Sequence, residues 1–442
     1  MENITTAINY LSKHSSSLHQ YPVDRILLDH ASLRQILTYV VLPVLAAYPV
    51  LTSLLRFRRV RKLQQQYSQY STRESFSRMT DRDAWEIQKV IAQLEFPFMY
   101  VKALQFALFR TYGIPTISHT LTKTSQFSDP RTAFKRYSDT SLLVTEFVTW
   151  EPSSERAQAA IARTNYIHSG YRSSGAIREE DMLYTLSLFA TEPIRFIDTY
   201  EWRKLTELEK CALGTFWKSV GDAMGVSYEP LPSFQNGGFR DGLHWLDEIS
   251  AWSQAYEARA MVPDQKNRET ADRTTAILTY MLPEPLKHVG LKFVPYMMDD
   301  RLRRAMLYDP PPPLYATIFS SLLQLRKFLL RYLALPRPYF LRSTVLTEKP
   351  DPQTGTFYVT KWDAAPYYVK PTVWNRWLSP TAWLTRLLGL PVPGDEGDKY
   401  YPRGYDIADV GPKAFAGRGK EYMDRQKEML RKERTGGCPF HP

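Results

Sequence analysis

The chain has 442 residues, of which 43% are hydrophobic and 13% aromatic, a composition that excludes a disordered protein and supports one large core or two smaller ones. Its two cysteines, Cys211 and Cys438, are too few for a disulfide framework or a four-ligand zinc site. The net charge of +11 comes from dispersed basic residues, so no nucleic-acid partner is expected.

The first element is the uncharged run ILTYVVLPVLAAYPVLTSLL, Ile36 to Leu55, long enough to cross a hydrocarbon core of about 30 Å at about 1.5 Å per residue. It reads as a single transmembrane helix, in which Pro43 and Pro49 are tolerated. A buried core helix is the alternative, and a cleaved signal peptide would be shorter and nearer the N-terminus. Arg56, Arg58, Arg59, Arg61 and Lys62 follow the run and outweigh Arg34 before it. That asymmetry predicts a cytosolic main domain and a lumenal N-terminus. The one N-glycosylation sequon, at Asn3, falls on the lumenal side.

Helical periodicity starts near Thr80, after the polar stretch QQQYSQYSTRES, and dominates to Met261. Thr80 is a candidate cap with acidic residues behind it, and Pro97 ends or kinks that helix. The next helix runs through YVKALQFALFRTYG and closes at Gly113 and Pro115. Asp129 is a candidate N-cap with Pro130 at the first helical position, opening a helix to about Trp150. Ser153 or Ser154 caps a further helix that ends at the Ser-Ser-Gly before Ala176. Thr206 and Glu209 form a capping box for a helix that stops at Gly225. Beyond Met261 the pattern is less regular. DPPPPLY is an extended break, Ala316 to Leu335 is amphipathic with interleaved basic residues, and Thr372 to Leu390 is rich in tryptophan. Each of the latter two suits a membrane interface or ordinary core packing. The segment from Lys413 reads as a polar, loose tail.

Two constellations carry chemistry. In ARTNYIHSGYRSSG, His168 follows Ala157, Ala160, Ile161 and Thr164 at helical spacing, so the imidazole faces the core above small residues. It is either a satisfied core histidine or a haem-iron ligand above which a flat macrocycle can lie. On the preceding helix, Arg136 and Thr140 stand one turn apart on a face continued by Leu143 and Phe147. A guanidinium there can pair with an acidic cofactor group and a hydroxyl can hold oxygen or water; a surface arginine and a structural threonine are the alternative.

The run from FPFMYVKALQFALFRTYGIPTISHT to KSVGDAMGVSYEPLP, about residues 80 to 235, resembles the catalytic domain shared by rubber oxygenases and fungal ER-bound oxygenases of the mpaB type. The N-terminal anchor places the chain nearer the fungal branch. The resemblance implies an all-α, distantly globin-like domain holding haem b. It also implies roles: KRYSDT matches the family's Arg-x-x-x-Thr pair at Arg136 and Thr140, and IHSGYR matches its axial histidine motif at His168 and Arg172. Where some rubber-cleaving members carry a lysine before the motif threonine, this chain has Asp139, so a lysine-capped state is not expected. Their upstream acidic residue has no counterpart near ISHTLTKT, and His119 reads as structural.

The expected organisation is a lumenal tail (1–35), an anchor (36–55), a basic flank and linker (56–79), a haem-binding oxygenase domain (80–300), a membrane-facing helical extension (301–412) and a polar tail (413–442). The resemblance implies an ER-membrane, haem b-dependent oxygenase that uses dioxygen to cleave a C=C bond of a hydrophobic, prenylated fungal metabolite. Haem-dependent hydroxylation, desaturation or cyclisation of another scaffold, and a non-catalytic membrane scaffold, are the alternatives. Oligomeric state is not legible.

Overall fold

The computed structural model describes residues 37–124 and 130–440, with side chains from 38 and, after the internal gap, from 132. The stretch read as a lumenal tail, with Arg34 and Asn3, and Asp129 therefore lie outside the described residues. Among those described there is no β-strand, only isolated bridges such as Leu346 with Val359, so the chain is all-α as expected.

The apolar run forms a wide helical turn, Leu37–Val41, that continues into α1, Leu42–Gln66. Leu42, Val44, Leu45, Val50, Leu51 and Leu54 point outward into no protein. A core helix would bury them, so that alternative is excluded, and the helix from Thr38 to Gln66 has the length and apolarity of a membrane span. α1 does not stop at the basic flank. Val60 and Leu63 are buried, and so are Tyr67, Tyr70 and Phe76 in the stretch read as a polar linker. Arg56, read as a membrane-flank charge, instead donates from Nε to Ala334 O at 2.7 Å and lies over the Trp202 ring, while Arg59 pairs with Glu95.

α2, Asp81–Val90, begins where Thr80 accepts from Asp83 N, and a wide turn over Ile91–Glu95 leads to Pro97 at the first position of α3, Pro97–Thr111. Pro115 starts a short helix, α4, Pro115–Lys123, that the sequence reading did not separate. α5 is Pro130–Thr149 and α6 is Glu155–Ser173, the latter capped by Ser154. α7, Glu179–Tyr200, packs along α3, and α8, Glu207–Ala223, opens with the Thr206–Glu209 capping box. α9, Gly242–Ala260, crosses α8 where Gly214 and Gly242 meet; a Cβ on Gly214 would stand 2.2 Å from Gly242 O. Arg110 on α3 donates to both oxygens of Glu257 on α9, at 2.7 and 2.8 Å, and Tyr184 on α7 donates to the same carboxylate. This buried charge cluster fixes the three helices at one point.

The irregular half is more helical than its pattern suggests: α10, Gln265–Leu278; α11, Glu284–Met297; α12, Asp300–Ala305; α13, Pro313–Tyr332; α14, Pro380–Leu387. The segment read as a loose tail ends in α15, Lys420–Glu433, packed on α6. Met423 and Leu430 supply its apolar face, and Arg434 after it is buried against Asp81 (3.5 Å) and donates to Ser219 Oγ at 3.2 Å. A helix that is polar on most of its surface hides a long-range anchor in a single arginine.

Replacing Arg434 with Leu strands Asp81 in the core and should cost about 3–5 kcal/mol. A denaturant titration should show the double change Asp81→Asn, Arg434→Leu recovering much of that loss. A single variant as stable as the parent would mean that the tail does not brace the core.

Candidate active site

The helices α4, α5, α6 and α7 enclose a chamber of about 640 Å³, within the range of small-molecule sites. The ends of α3 (Leu108, Tyr112) and the middle of α8 (Trp217, Val220) form its inner wall. From α5 come Arg136, Thr140, Leu143 and Phe147, the face read from helical spacing. From α6 come Thr164, Ile167, His168 and Tyr171. Ala157, Ala160 and Ile161 are buried but do not reach the chamber, so the floor beneath the imidazole is Thr164 rather than the alanines.

His168 keeps its residual exposure toward the chamber, and its Nδ1 is buried without a hydrogen-bond partner. Burial first, then the charges of Arg136 and Arg172, hold the imidazole at a pKa of about 4, so it is neutral at physiological pH. Arg136 lies in the wall with Nη1 3.4 Å from Thr124 Oγ1, and burial works against its charge. Arg172 does not line the chamber. It turns away, pairs with Glu179 at 2.8 Å and donates to the carbonyls of Met224 and Gly225 at 3.0 and 2.8 Å, tying the end of α6 to the end of α8. His119 is also outside, 3.0 Å from Asp264.

Asp139 reaches the chamber wall, but its carboxylate accepts from Lys135 Nζ at 2.7 Å and from Tyr368 Oη at 2.6 Å. Burial pushes that carboxyl up while Lys135 and Tyr368 pull it back. Asp181, at the start of α7, is a second buried acid on the wall, raised by burial and held by Thr116 and Tyr256. The sequence reading passed over both Lys135 and Asp181, since a single charged residue at a helical position is ordinarily a solvated one.

The roof comes from the far end of the chain. Tyr367, Tyr401 and residues 411–414 cover the chamber from above α5 and α6. Arg163, wholly buried on α6, donates to Val410 O at 2.8 Å, Phe415 O at 3.0 Å and Arg418 O at 3.1 Å. Lys135 adds a bond to Gly411 O at 2.7 Å. Gly411 has φ +123° and a Cβ there would stand 2.8 Å from Ile167; one on Gly419 would enter the Tyr166 ring at 2.4 Å. Both glycines let the strap lie directly on α6.

Fold and site together define a helical protein with one apolar helix of spanning length and a largely apolar chamber whose wall carries a single neutral imidazole. Residues 92–325 match the family described as ER-bound oxygenase mpaB/B'/Rubber oxygenase, catalytic domain. The chain is 55% identical over 397 residues to the ER-bound oxygenase mpaB' of Penicillium brevicompactum, covering 90% of this chain and 93% of that one. It is 50% identical over 369 residues to the ER-bound oxygenase mpaB of the same species, 84% of this chain and 87% of the relative. The mpaB oxygenase of Penicillium roqueforti (strain FM164) is 59% identical over 265 residues, 60% of this chain and 88% of that protein. The chain belongs to this ER-bound oxygenase family and is an oxygenase, which sets aside the non-catalytic scaffold.

Two outcomes follow. Between pH 6.5 and about 4 the unfolded chain binds a proton at residue 168 that the folded chain refuses, so the histidine's contribution to stability falls as pH falls through that window. The melting temperature of His168→Leu should therefore gain on the parent as pH drops from 6.5 to 4; a constant difference would contradict the buried neutral imidazole. In Arg163→Met the strap loses its clamp, and trypsin should cut at Lys413 and Arg418 at least several-fold faster in the folded protein.

Proposed function

We propose that the chamber holds haem b, with His168 as its protein ligand, and that the enzyme cleaves a C=C bond in the prenyl chain of a hydrophobic secondary metabolite of the meroterpenoid type. The observation that carries this reading is the imidazole itself: neutral, on the wall of a large apolar chamber, with an orphaned buried Nδ1. With Nδ1 buried, Nε2 is the ring nitrogen left to meet a ligand in the chamber. Among the described residues no group of three His, Cys, Asp or Glu side chains is placed to hold a metal ion, so an iron here needs a ligand set supplied mostly by a macrocycle.

When bound, haem supplies dioxygen activation for oxidative attack on the double bond. The chain's own residues do the rest. Arg136 offers a guanidinium to a carboxylate, as a haem propionate requires, and Thr140 offers a hydroxyl to a polar atom inside the chamber. Leu143, Phe147, Phe189 and Trp217 keep water out and accept an apolar chain. Lys135 is held by Asp139 and Gly411 at the chamber wall. Arg172 acts on the imidazole through its charge and by fixing the end of α6, rather than as a contact to the cofactor. The membrane-bound domain faces the cytosol in this reading, with the N-terminus in the lumen.

Detergent-purified protein should show a Soret band and a b-type pyridine haemochrome, both lost or shifted in His168→Ala. Product mass should show loss of a carbon fragment from a prenylated substrate. Gain of one oxygen would indicate hydroxylation and loss of two hydrogens desaturation, each replacing the cleavage reading. A parent protein that stays colourless after haem supply would overturn the cofactor assignment.

A further inference from the structure

α13 presents its residues the wrong way round for a helix in water. Leu314, Ile318, Leu322, Leu325 and Leu329 recur at helical spacing and all point outward, Leu314 with 68% of its surface exposed. The basic residues of α13 turn to the protein instead: Arg326 donates to Tyr200 O at 3.1 Å and to Glu201 at 2.7 Å, and Lys327 donates to Thr199 O at 3.0 Å. The apolar surface continues through Leu333, Leu335, Tyr339, Phe340 and Leu341, with Phe340 79% exposed. A patch of this extent marks a surface with an occupant.

The contacts of this segment with α1 identify the occupant. Tyr48 Oη donates to Leu333 O at 2.9 Å, Arg56 Nε to Ala334 O at 2.7 Å, and Arg59 to Arg337 O. The chain from Leu333 to Arg337 therefore runs alongside α1 from the level of Tyr48 toward Arg59. Tyr48 lies about 10 Å of helix short of Leu55, the last residue of the uncharged run. A segment bonded at that level shares the depth of the apolar span.

We infer that the outward face of α13 and the loop to Leu341 form a second membrane contact, an apolar wedge lying in the leaflet next to the catalytic domain. The inference rests on the reading of α1 as membrane-embedded. Leucine on the lipid side, with Tyr332, Tyr339 and Arg337 near the rim, is the composition of an interfacial helix. The basic residues that an interfacial helix usually turns to headgroups are here turned to protein carbonyls and a carboxylate, so the wedge is carried rigidly by α7 and α1.

The test uses full-length protein in vesicles of phosphatidylcholine and phosphatidylethanolamine. Cys438→Ser removes the more accessible thiol and leaves only Cys211, which is wholly buried. Single nitroxide labels are placed at Leu45→Cys, Leu322→Cys, Phe340→Cys and the exposed Gln353→Cys, and power-saturation EPR compares their accessibility to oxygen and to a water-soluble nickel chelate. Labels at 322 and 340 should favour oxygen several-fold, as 45 does, while 353 favours nickel. Labels at 322 and 340 that behave like 353, with 45 in lipid, would overturn the wedge and leave the anchor intact. Labels shielded from both reagents would mean a second copy or another protein covers the face, and would overturn it as well. A label at 45 that favours nickel would remove the anchor reading and the wedge with it.

Discussion

A single buried guanidinium organises the site. Among the described residues Arg163 has no carboxylate partner within bonding distance; its planar fork of N–H groups is met by three backbone carbonyls from the strap between Val410 and Arg418. A buried cation is tolerable only when its donors are satisfied, so the strap has one position that satisfies it. That position lays Gly411 on Ile167 and Gly419 on Tyr166, the two residues just before His168 on α6. The chamber has a roof because α6 both carries the imidazole and holds the segment above it. α5 does the same from the other side through Lys135 and Gly411, so the two helices that bring the chemistry together also share the roof.

The same arrangement sets the electrostatics. Inside a chamber walled by Leu143, Phe147 and Trp217, charges interact strongly and an imidazolium would face Arg136 in the wall and Arg172 behind it. The ring stays neutral, the form that binds metals. The acids nearby do not reverse this, because each is already engaged: Asp139 by Lys135 and Tyr368, Asp181 by Thr116 and Tyr256. Cations bias the imidazole, while Lys135 offsets the charge of Asp139 and two hydroxyls hold Asp181 in place.

Local signals explain which parts of this were legible in the sequence. Thr80, Ser154 and the Thr206–Glu209 box cap helices as read because a cap acts over three or four residues. The period of 3.6 placed Arg136, Thr140, Leu143 and Phe147 on one face and His168 on the inner side of α6. The motif gives only the proximity of Arg172 to His168 along the helix; its carbonyl partners at Met224 and Gly225 leave no side-chain pattern. The strap was invisible for the same reason. Arg163 binds backbone, Tyr401 adopts a left-handed φ of 52° that no propensity signals, and the polar surface of α15 concealed Arg434 and its distant partner Asp81. Arg56 and Arg59 were read only as charges flanking the apolar run, yet tertiary contacts claim both.

The geometry of the anchor bears on catalysis through α3. Phe98 is exposed at the start of that helix, with Arg326 of α13 over its ring, while Leu108 and Tyr112 at its other end line the chamber. Ten residues of helix span about 15 Å, so the chamber sits within one short helix of the apolar face. A lone transmembrane helix fixes a domain's distance from the bilayer but leaves its tilt free. A second contact through α13 and Leu333–Leu341 removes that freedom and holds one side of the catalytic domain against the lipid. For a ligand that partitions into the bilayer this is an advantage in effective concentration, since it meets the enzyme in a layer a few nanometres thick rather than in bulk water. The long separation in sequence between α1 and α13 is then no accident of folding. In the wedge reading, the bonds from Tyr48 and Arg56 to Leu333 and Ala334 hold the two elements together as one unit against the membrane.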